Sequence, residues 1–313
     1  MKICILGAGA LGCAIGGVLT EAGVEVWLIN RNTDQVEAMN RRGLILRDGA
    51  GADRTVAVQA ATTAQGVNLD TGAVDLVIVL VKSFHTAQAM QAATSLLGPD
   101  TAVLSLQNGL GHEDILAGIV GRHRVLAGKT YAGGSQLGAG HVLIGTQGKD
   151  THIGELDGRM TDRVQRIAHT FNAAGLDTIV SDNIMGTIWD KLLVNVATGA
   201  VSGISRLVYG DLYQVPEMEA CGVAAVAEAM AVAKASGITL TTTDARQPWV
   251  KAGAGLPYDF KTSMLQSLEK GSITEIDFIN GAVVRQGAQC GVPTPVNQTL
   301  VACIKGLERG LPR

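Results

Sequence analysis

The chain has 313 residues, 47% of them hydrophobic and 17% charged, with a formal net charge of −3. That balance leaves no electrostatic footprint for nucleic acid or for an anionic membrane surface, and the length suggests two domains of about 150 residues each. Five cysteines (Cys4, Cys13, Cys221, Cys290, Cys303) are widely spaced, odd in number and without a C-x-x-C pair. They read as small buried apolar residues in a reducing cytoplasm, not as a disulfide frame or a zinc site.

The chain opens with an apolar run, Ile3 to Leu6, followed by Gly7, Gly9 and Gly12 in the string GAGALG. A helix-like segment then runs to about Ala22, Gly23 stops it, and a second β-rich run covers Val24 to Ile29. A G-x-G-x-x-G that follows a strand and opens a helix is the fingerprint of a dinucleotide site. Its first glycine permits the tight turn, its second lets the backbone approach a pyrophosphate, and its third lets the helix pack on the strand. Ala10 and Leu11 then lie at the helix N-terminus, where free N–H groups favour phosphate. Residues 3–19 also have the composition of a targeting or membrane segment. The glycine spacing and the second strand directly after it favour the strand–turn–helix reading.

An Asp or Glu at the end of the second strand marks NAD-binding folds, where it holds the ribose hydroxyls. Here that place reads Ile29-Asn30-Arg31-Asn32, and no carboxylate comes before Asp34. An arginine there suits a 2′-phosphate, so NADP(H) is expected, with Arg31 on the phosphate. A surface pair of Arg31 with Asp34 is the plainer alternative.

A second helix is expected over Thr33–Arg42, capped by Asn32 or Thr33. Strands follow at 44–46 and 56–58, around the turn Asp48 to Gly51. Residues 75–81 form a nearly continuous β-branched run, the clearest buried parallel strand. It ends in Lys82-Ser83, at the carboxyl end of a central strand, where a doubly wound sheet meets its ligand. Lys82 is therefore either a cofactor contact or an ordinary surface lysine. A helix is expected over Phe84–Leu97, then a strand over Ala102–Leu106 ending in Gln107-Asn108-Gly109. Asn-Gly is usually only a turn, but this one stands one strand over from Lys82. The Gly-rich stretch 125–154 predicts antiparallel hairpins that extend the sheet. A helix at 162–174 and a short strand at 177–180 complete an α/β, Rossmann-type doubly wound domain over residues 1–181. Residues 182–313 read as all helical.

Within that second domain, Ile184–Val196 is apolar on most of its surface, yet carries Lys191 and Asn195 four apart on one face. A lysine among packed apolar groups costs free energy unless it has a partner or a task; snorkelling to solvent is the bland explanation. Further on, Ser272 and Glu275 have capping-box spacing, which alone would explain Glu275 structurally.

Taken together, GAGALG at 7–12, VKS at 81–83, QNG at 107–109, WDKLLVN at 189–195, SMLQSLEKGSITEIDFING at 263–281 and GVPTPVN at 291–297 resemble the ketopantoate reductase (2-dehydropantoate 2-reductase) family over essentially the whole length. The resemblance implies a helical domain of the 6-phosphogluconate dehydrogenase C-terminal type and NADPH-dependent reduction of a 2-oxo acid in pantothenate biosynthesis. It places Lys191 as general acid and Glu275 as its acidic partner. Asn108 falls near the nicotinamide and the lysine, Asn195 and Ser263 fall at substrate contacts, and Lys82 at a cofactor contact. The sequence departs from the family at Gly199, where a second asparagine is usual. A different branched or bulkier 2-oxo acid is the alternative substrate, and a protein that binds NADP(H) without turnover is a third reading. No metal, nucleic acid or membrane partner is expected, and a homodimer is left open.

Overall fold

The computed structural model describes residues 1–67 and 72–311. Its contacts divide the chain into two units: residues 1–107 with 112–184, and residues 108–111 with 185–313.

The first unit begins β1 (Lys2–Leu6), α1 (Ala10–Glu21), β2 (Glu25–Ile29) and α2 (Thr33–Arg42), followed by β3 (Leu44–Arg47), β4 (Asp53–Val56) and β5 (Gln59–Ala61). It continues through β6 (Val74–Val79), α3 (Thr86–Ala92), β7 (Leu97–Ser105), α4 (His112–Val120) and β8 (Val125–Thr130). It ends with β9 (Gly133–Gly138), β10 (His141–Gly145), β11 (Thr151–Glu155), α5 (Asp162–Ala173) and β12 (Thr178–Val180).

Among the described residues, eight strands form one sheet in the order β12-β11-β8-β7-β6-β1-β2-β5. The strands from β8 to β5 in that row are parallel. The two-residue period of a strand sends alternate side chains to opposite faces. Ile3, Ile5, Leu76, Ile78 and Leu104 join α1, α2 and α5 on one face. Cys4, Leu6, Val77, Val79 and Val103 join α3 and α4 on the other. This is the doubly wound arrangement that the continuous apolar runs predict.

The stretch 125–154 behaves differently from expectation. β8 and β11 do extend the main sheet, β8 running parallel to β7 and β11 antiparallel to β8. The β9–β10 hairpin instead joins β3 and β4 in a separate sheet, in the order β4-β3-β10-β9. That second sheet packs on the outer side of α1. A side chain at Gly16 would strike Leu28 and Ile5 of the main sheet, whereas one at Gly17 would strike Leu44 and Leu46 of the second. Helix α1 is therefore apolar all round because it lies between two sheets. No helix among the described residues is long and apolar enough to cross a membrane.

The helix expected over 84–97 is shorter. A 3-10 turn at Ser83–His85 precedes α3, and another at Thr94–Leu96 follows it. Gln107 holds the first turn, since its amide donates to the Val81 carbonyl and the Thr86 hydroxyl at 2.8 Å each. Asn32, not Thr33, caps α2, its side chain accepting from the Gln35 N–H at 3.0 Å.

The second unit, whose regular elements among the described residues are all helices, comprises α6 (Ile184–Ser205), α7 (Tyr209–Leu212), α8 (Pro216–Ala235) and α9 (Gln247–Gly253). After these come α10 (Ser263–Glu269), α11 (Asn280–Cys290) and α12 (Pro295–Arg309). In the GVPTPVN string, Gly291 ends α11 in the left-handed conformation and Pro295 opens α12. Asn297 is fully buried and ties three helices: it accepts from Asn280 at 3.0 Å and donates to the Ala225 carbonyl at 2.9 Å. The motif is thus a packing element.

The cysteines are only partly as expected. All five are free; Cys4 and Cys13 are buried, Cys221 and Cys290 half-buried, and Cys303 exposed. Burial pushes the Cys4 thiol up to about 12.

Glu155, at the end of β11, is nearly enclosed and accepts from Arg163 Nε at 2.7 Å and from the Thr161 hydroxyl. Burial pushes its pKa up, but Arg163 and Thr161 outweigh that and hold it below the usual range. A depressed carboxylate stabilises the fold above its unfolded pKa, about 4.3, and that stability is lost as pH falls through the folded value. Glu155→Gln should therefore cost on the order of 1 kcal/mol at pH 7, because Arg163 keeps some contact with water. Urea unfolding as a function of pH should show the gap to wild type closing below about pH 4; a constant gap would contradict the linkage.

Candidate active site

The glycine string folds as its spacing requires. Gly7 has φ +110, and a Cβ there would lie 2.5 Å from the Val81 nitrogen. A Cβ at Gly12 would lie 2.4 Å from the Gly7 carbonyl oxygen. These two glycines are demanded by packing. Gly9 differs: it is exposed, and a Cβ there would meet nothing within 4 Å. It therefore leaves an open cradle over the turn. The first helical bond of α1 runs from Cys13 N–H to the Gly9 carbonyl at 2.8 Å, so the N–H groups of Ala10, Leu11 and Gly12 have no acceptor within the helix. An open backbone cradle at a helix N-terminus with no acidic residue in its first turn fits a dinucleotide pyrophosphate.

Asn30, which no sequence motif singles out, braces this loop. Its amide donates to the Ala8 carbonyl at 2.6 Å, and its oxygen accepts from the Asn32 N–H at 2.9 Å. Arg31 is exposed on the turn so formed. Burial first, and then the charge of Arg31, holds His85 below the usual histidine range. The Arg31 turn and the turn after β6 thus share one electrostatic neighbourhood. Lys82 is exposed where that second turn begins, its carbonyl accepting from the His85 N–H at 2.8 Å.

In the helical unit, Lys191 and Asn195 lie one turn apart on α6, both half-buried. Lys191 Nζ donates to Asn108 Oδ1 at 2.7 Å. Asn108 belongs to the four-residue segment 108–111 that packs with the helices. This segment is anchored by the Leu110 N–H, which donates to the Phe278 carbonyl at 2.9 Å. Gly109 permits the approach: its φ is +102, and a Cβ there would lie 2.4 Å from the Phe278 oxygen. The asparagine and the lysine are brought together across 83 residues of sequence, while the Phe278 turn also carries Glu275.

Glu275 is half-buried, but the capping box expected around it does not form. The next α-helix begins only at Asn280, and Ser272 N–H instead closes the preceding helix on the Ser267 carbonyl at 2.9 Å. Glu275 instead directly precedes a 3-10 turn, Ile276–Phe278, without capping it through its side chain. Ser263 is exposed in the first turn of α10. The residue before it, Thr262, caps α10 and bonds to Ser202 of α6 at 3.2 Å. Met264 then reaches α6 beside Gly199, where a Cβ would meet only its terminal methyl, at 3.7 Å. Among the described residues, no group of three His, Cys, Asp or Glu side chains could hold a metal ion.

Comparison with known proteins agrees along the length of the chain. Residues 3–158 match the family "Ketopantoate reductase PanE/ApbA", and residues 183–308 match its C-terminal counterpart. A 2-dehydropantoate 2-reductase of Archaeoglobus fulgidus is 32% identical, covering 99% of each chain. The solved structure of a PanE/ApbA family ketopantoate reductase from Ralstonia eutropha superimposes with a TM-score of 0.88, at 34% identity and 99% coverage of both chains. A D-mandelate dehydrogenase, solved in ternary complex with NADH and anilino(oxo)acetate, gives a TM-score of 0.90 at 28% identity, again with 99% coverage of both.

The glycine geometry separates binding from folding. Gly9→Ala should leave the melting temperature unchanged and weaken dinucleotide binding at least about tenfold, because its methyl enters the cradle. Gly12→Ala should instead lower the melting temperature, because its methyl strikes backbone. Fluorescence titration with NADPH beside thermal melts makes the distinction, and wild-type affinity in Gly9→Ala would contradict the cradle.

Proposed function

The chain belongs to the ketopantoate reductase family, and on that premise we propose that it reduces ketopantoate to pantoate with NADPH. The observation that carries this reading is the 2.7 Å bond between Lys191 Nζ and Asn108 Oδ1, with Asn195 one turn along the same helix face.

When bound, the nicotinamide supplies a hydride for the carbonyl carbon. The chain's own task is the other half of the reaction. Lys191 holds the proton that the carbonyl oxygen must receive. Its ammonium has three N–H donors, and the bond to Asn108 orients it. The ammonium polarises the substrate carbonyl and passes a proton to the oxygen as negative charge develops there. The product is the 2-hydroxy acid, and neutral Lys191 regains a proton from water. Asn195 and Ser263 hold the substrate in line, while Glu275 orients it or keeps Lys191 charged. Gly7, Gly9, Ala10, Leu11 and Gly12 cradle the pyrophosphate, Arg31 takes the 2′-phosphate, and Lys82 and Asn108 line the dinucleotide.

Gly199 supports a second reading, in which the acyl group is bulkier or more apolar. The space beside it is bounded by the Met264 methyl instead of an amide, and methionine adapts to varied shapes. Likeness to a D-mandelate dehydrogenase supports the same reading.

NADPH oxidation followed at 340 nm with ketopantoate, 2-oxoisovalerate and phenylglyoxylate should be fastest with ketopantoate; preference for phenylglyoxylate would transfer the assignment to the second reading. Lys191→Ala should lower kcat by about 10²–10⁴-fold while NADPH still binds, and retained turnover would remove Lys191 as the acid. Arg31→Ala should raise the Michaelis constant for NADPH by about tenfold or more, as expected for a lost charge-assisted hydrogen bond. It should leave that for NADH unchanged, and an equal change in both would end the case for NADP(H).

A further inference from the structure

The turn that carries Glu275 is held from a distance. Near the end of α12, the Glu308 side chain is only 8% exposed. Its Oε1 accepts two bonds from Thr274, from the backbone N–H and from the hydroxyl, both at 2.7 Å. The Thr274 hydroxyl oxygen accepts in turn from the Ile276 N–H at 3.2 Å. The residues on both sides of Glu275 are thereby fixed. The second oxygen, Oε2, lies 3.3 Å from Lys305 Nζ, which also bonds Asp277. Arg285 Nη1 donates to the Asp277 carbonyl at 2.7 Å. One residue further, the Phe278 carbonyl holds Leu110, two residues past the asparagine that bonds Lys191.

Burying a carboxylate is costly unless nearby donors satisfy it. Here Oε1 finds both its donors on one turn while Oε2 faces Lys305, and that turn leads to the acid's own partners. We propose that Glu308 is a positioning residue: its clamp on Thr274 aims Glu275 and, through Phe278 and Asn108, the Lys191 ammonium. The proposal rests on the reading of Lys191 as the general acid. Glu308 touches neither substrate nor cofactor in this scheme. It acts through the backbone of 274–278, where a displacement of about 1 Å is enough to lower turnover a hundredfold.

The test is steady-state kinetics, NADPH titration and thermal melts on the full-length protein, with the 2-oxo acid that it turns over fastest. Glu308→Gln and Thr274→Val should each lower kcat ten- to a hundredfold and move the basic limb of its pH profile, where the acid loses its proton. The NADPH dissociation constant should stay within about twofold of wild type. Thr274→Ser keeps the hydroxyl and should restore most of the activity, and Glu308→Asp should restore part. Ile304→Val, a buried change on the same helix, controls for lost stability. If Glu308→Gln and Thr274→Val lower the melting temperature but lose no more kcat than Ile304→Val, the clamp is purely structural and the proposal is overturned. If Lys191→Ala is itself active, the reading of the acid fails and takes the clamp's catalytic role with it. An inactive Lys191→Ala beside a fully active Glu308→Gln overturns the clamp alone.

Discussion

An ammonium on a mostly apolar helix needs an oxygen, and in the helical unit this need ties the candidate site together. Lys191 finds its oxygen on Asn108. Asn108 can be there because the chain turns at Gly109, whose positive φ and close contact with the Phe278 carbonyl exclude a side chain. Asn108 is exposed and Lys191 half-buried, so water competes for both groups and the bond's net worth is on the order of 1 kcal/mol. The three segments 108–110, 191–195 and 274–278 are therefore bound to one another modestly by energetics as well as by chemistry.

Much of this was legible in the sequence, for identifiable reasons. The strand–glycine–helix opening was readable because each glycine has a local cause, and the apolar runs of β1 and β6 because a parallel sheet covered on both faces leaves no room for alternation. The asparagine–lysine pair was not readable from spacing. Eighty-three residues separate the two, and only the resemblance to a family placed them near each other. The second sheet escaped notice because its strands β3 and β10 are far apart in sequence and join through pairing that no local period encodes. Even so, its trace was present. The all-round apolar character of α1, which could be taken for a targeting segment, is what a helix between two sheets requires.

The capping box at Ser272–Glu275 shows the opposite failure, a local pattern overridden by distant partners. Thr274 is drawn to Glu308 by two hydrogen bonds, while Gly271 at φ +66 has already turned the chain. The short string that predicts a helix start is instead a turn whose conformation is decided 34 residues away. A motif read by spacing alone would have assigned Glu275 a structural task that it does not perform.

Positions that set selectivity should be those whose side chains can change without cost to the fold. Gly7, Gly12 and Gly109 fail that test, because any side chain there strikes backbone. Asn297 fails it too, as the buried tie between α8, α11 and α12. Arg31 and Gly199 pass. Arg31 stands exposed on a turn whose shape is held by Asn30 and Asn32, and a side chain at Gly199 would begin at ordinary contact distance from a flexible methyl. One belongs to the α/β unit and the other to the helical unit, so under the proposed function choice of dinucleotide and choice of acyl group would rest on separate packing. A scaffold built this way can change either specificity while Lys191 and Asn108 stay in place. That independence gives a physical reason why one architecture can serve both ketopantoate reductases and a D-mandelate dehydrogenase.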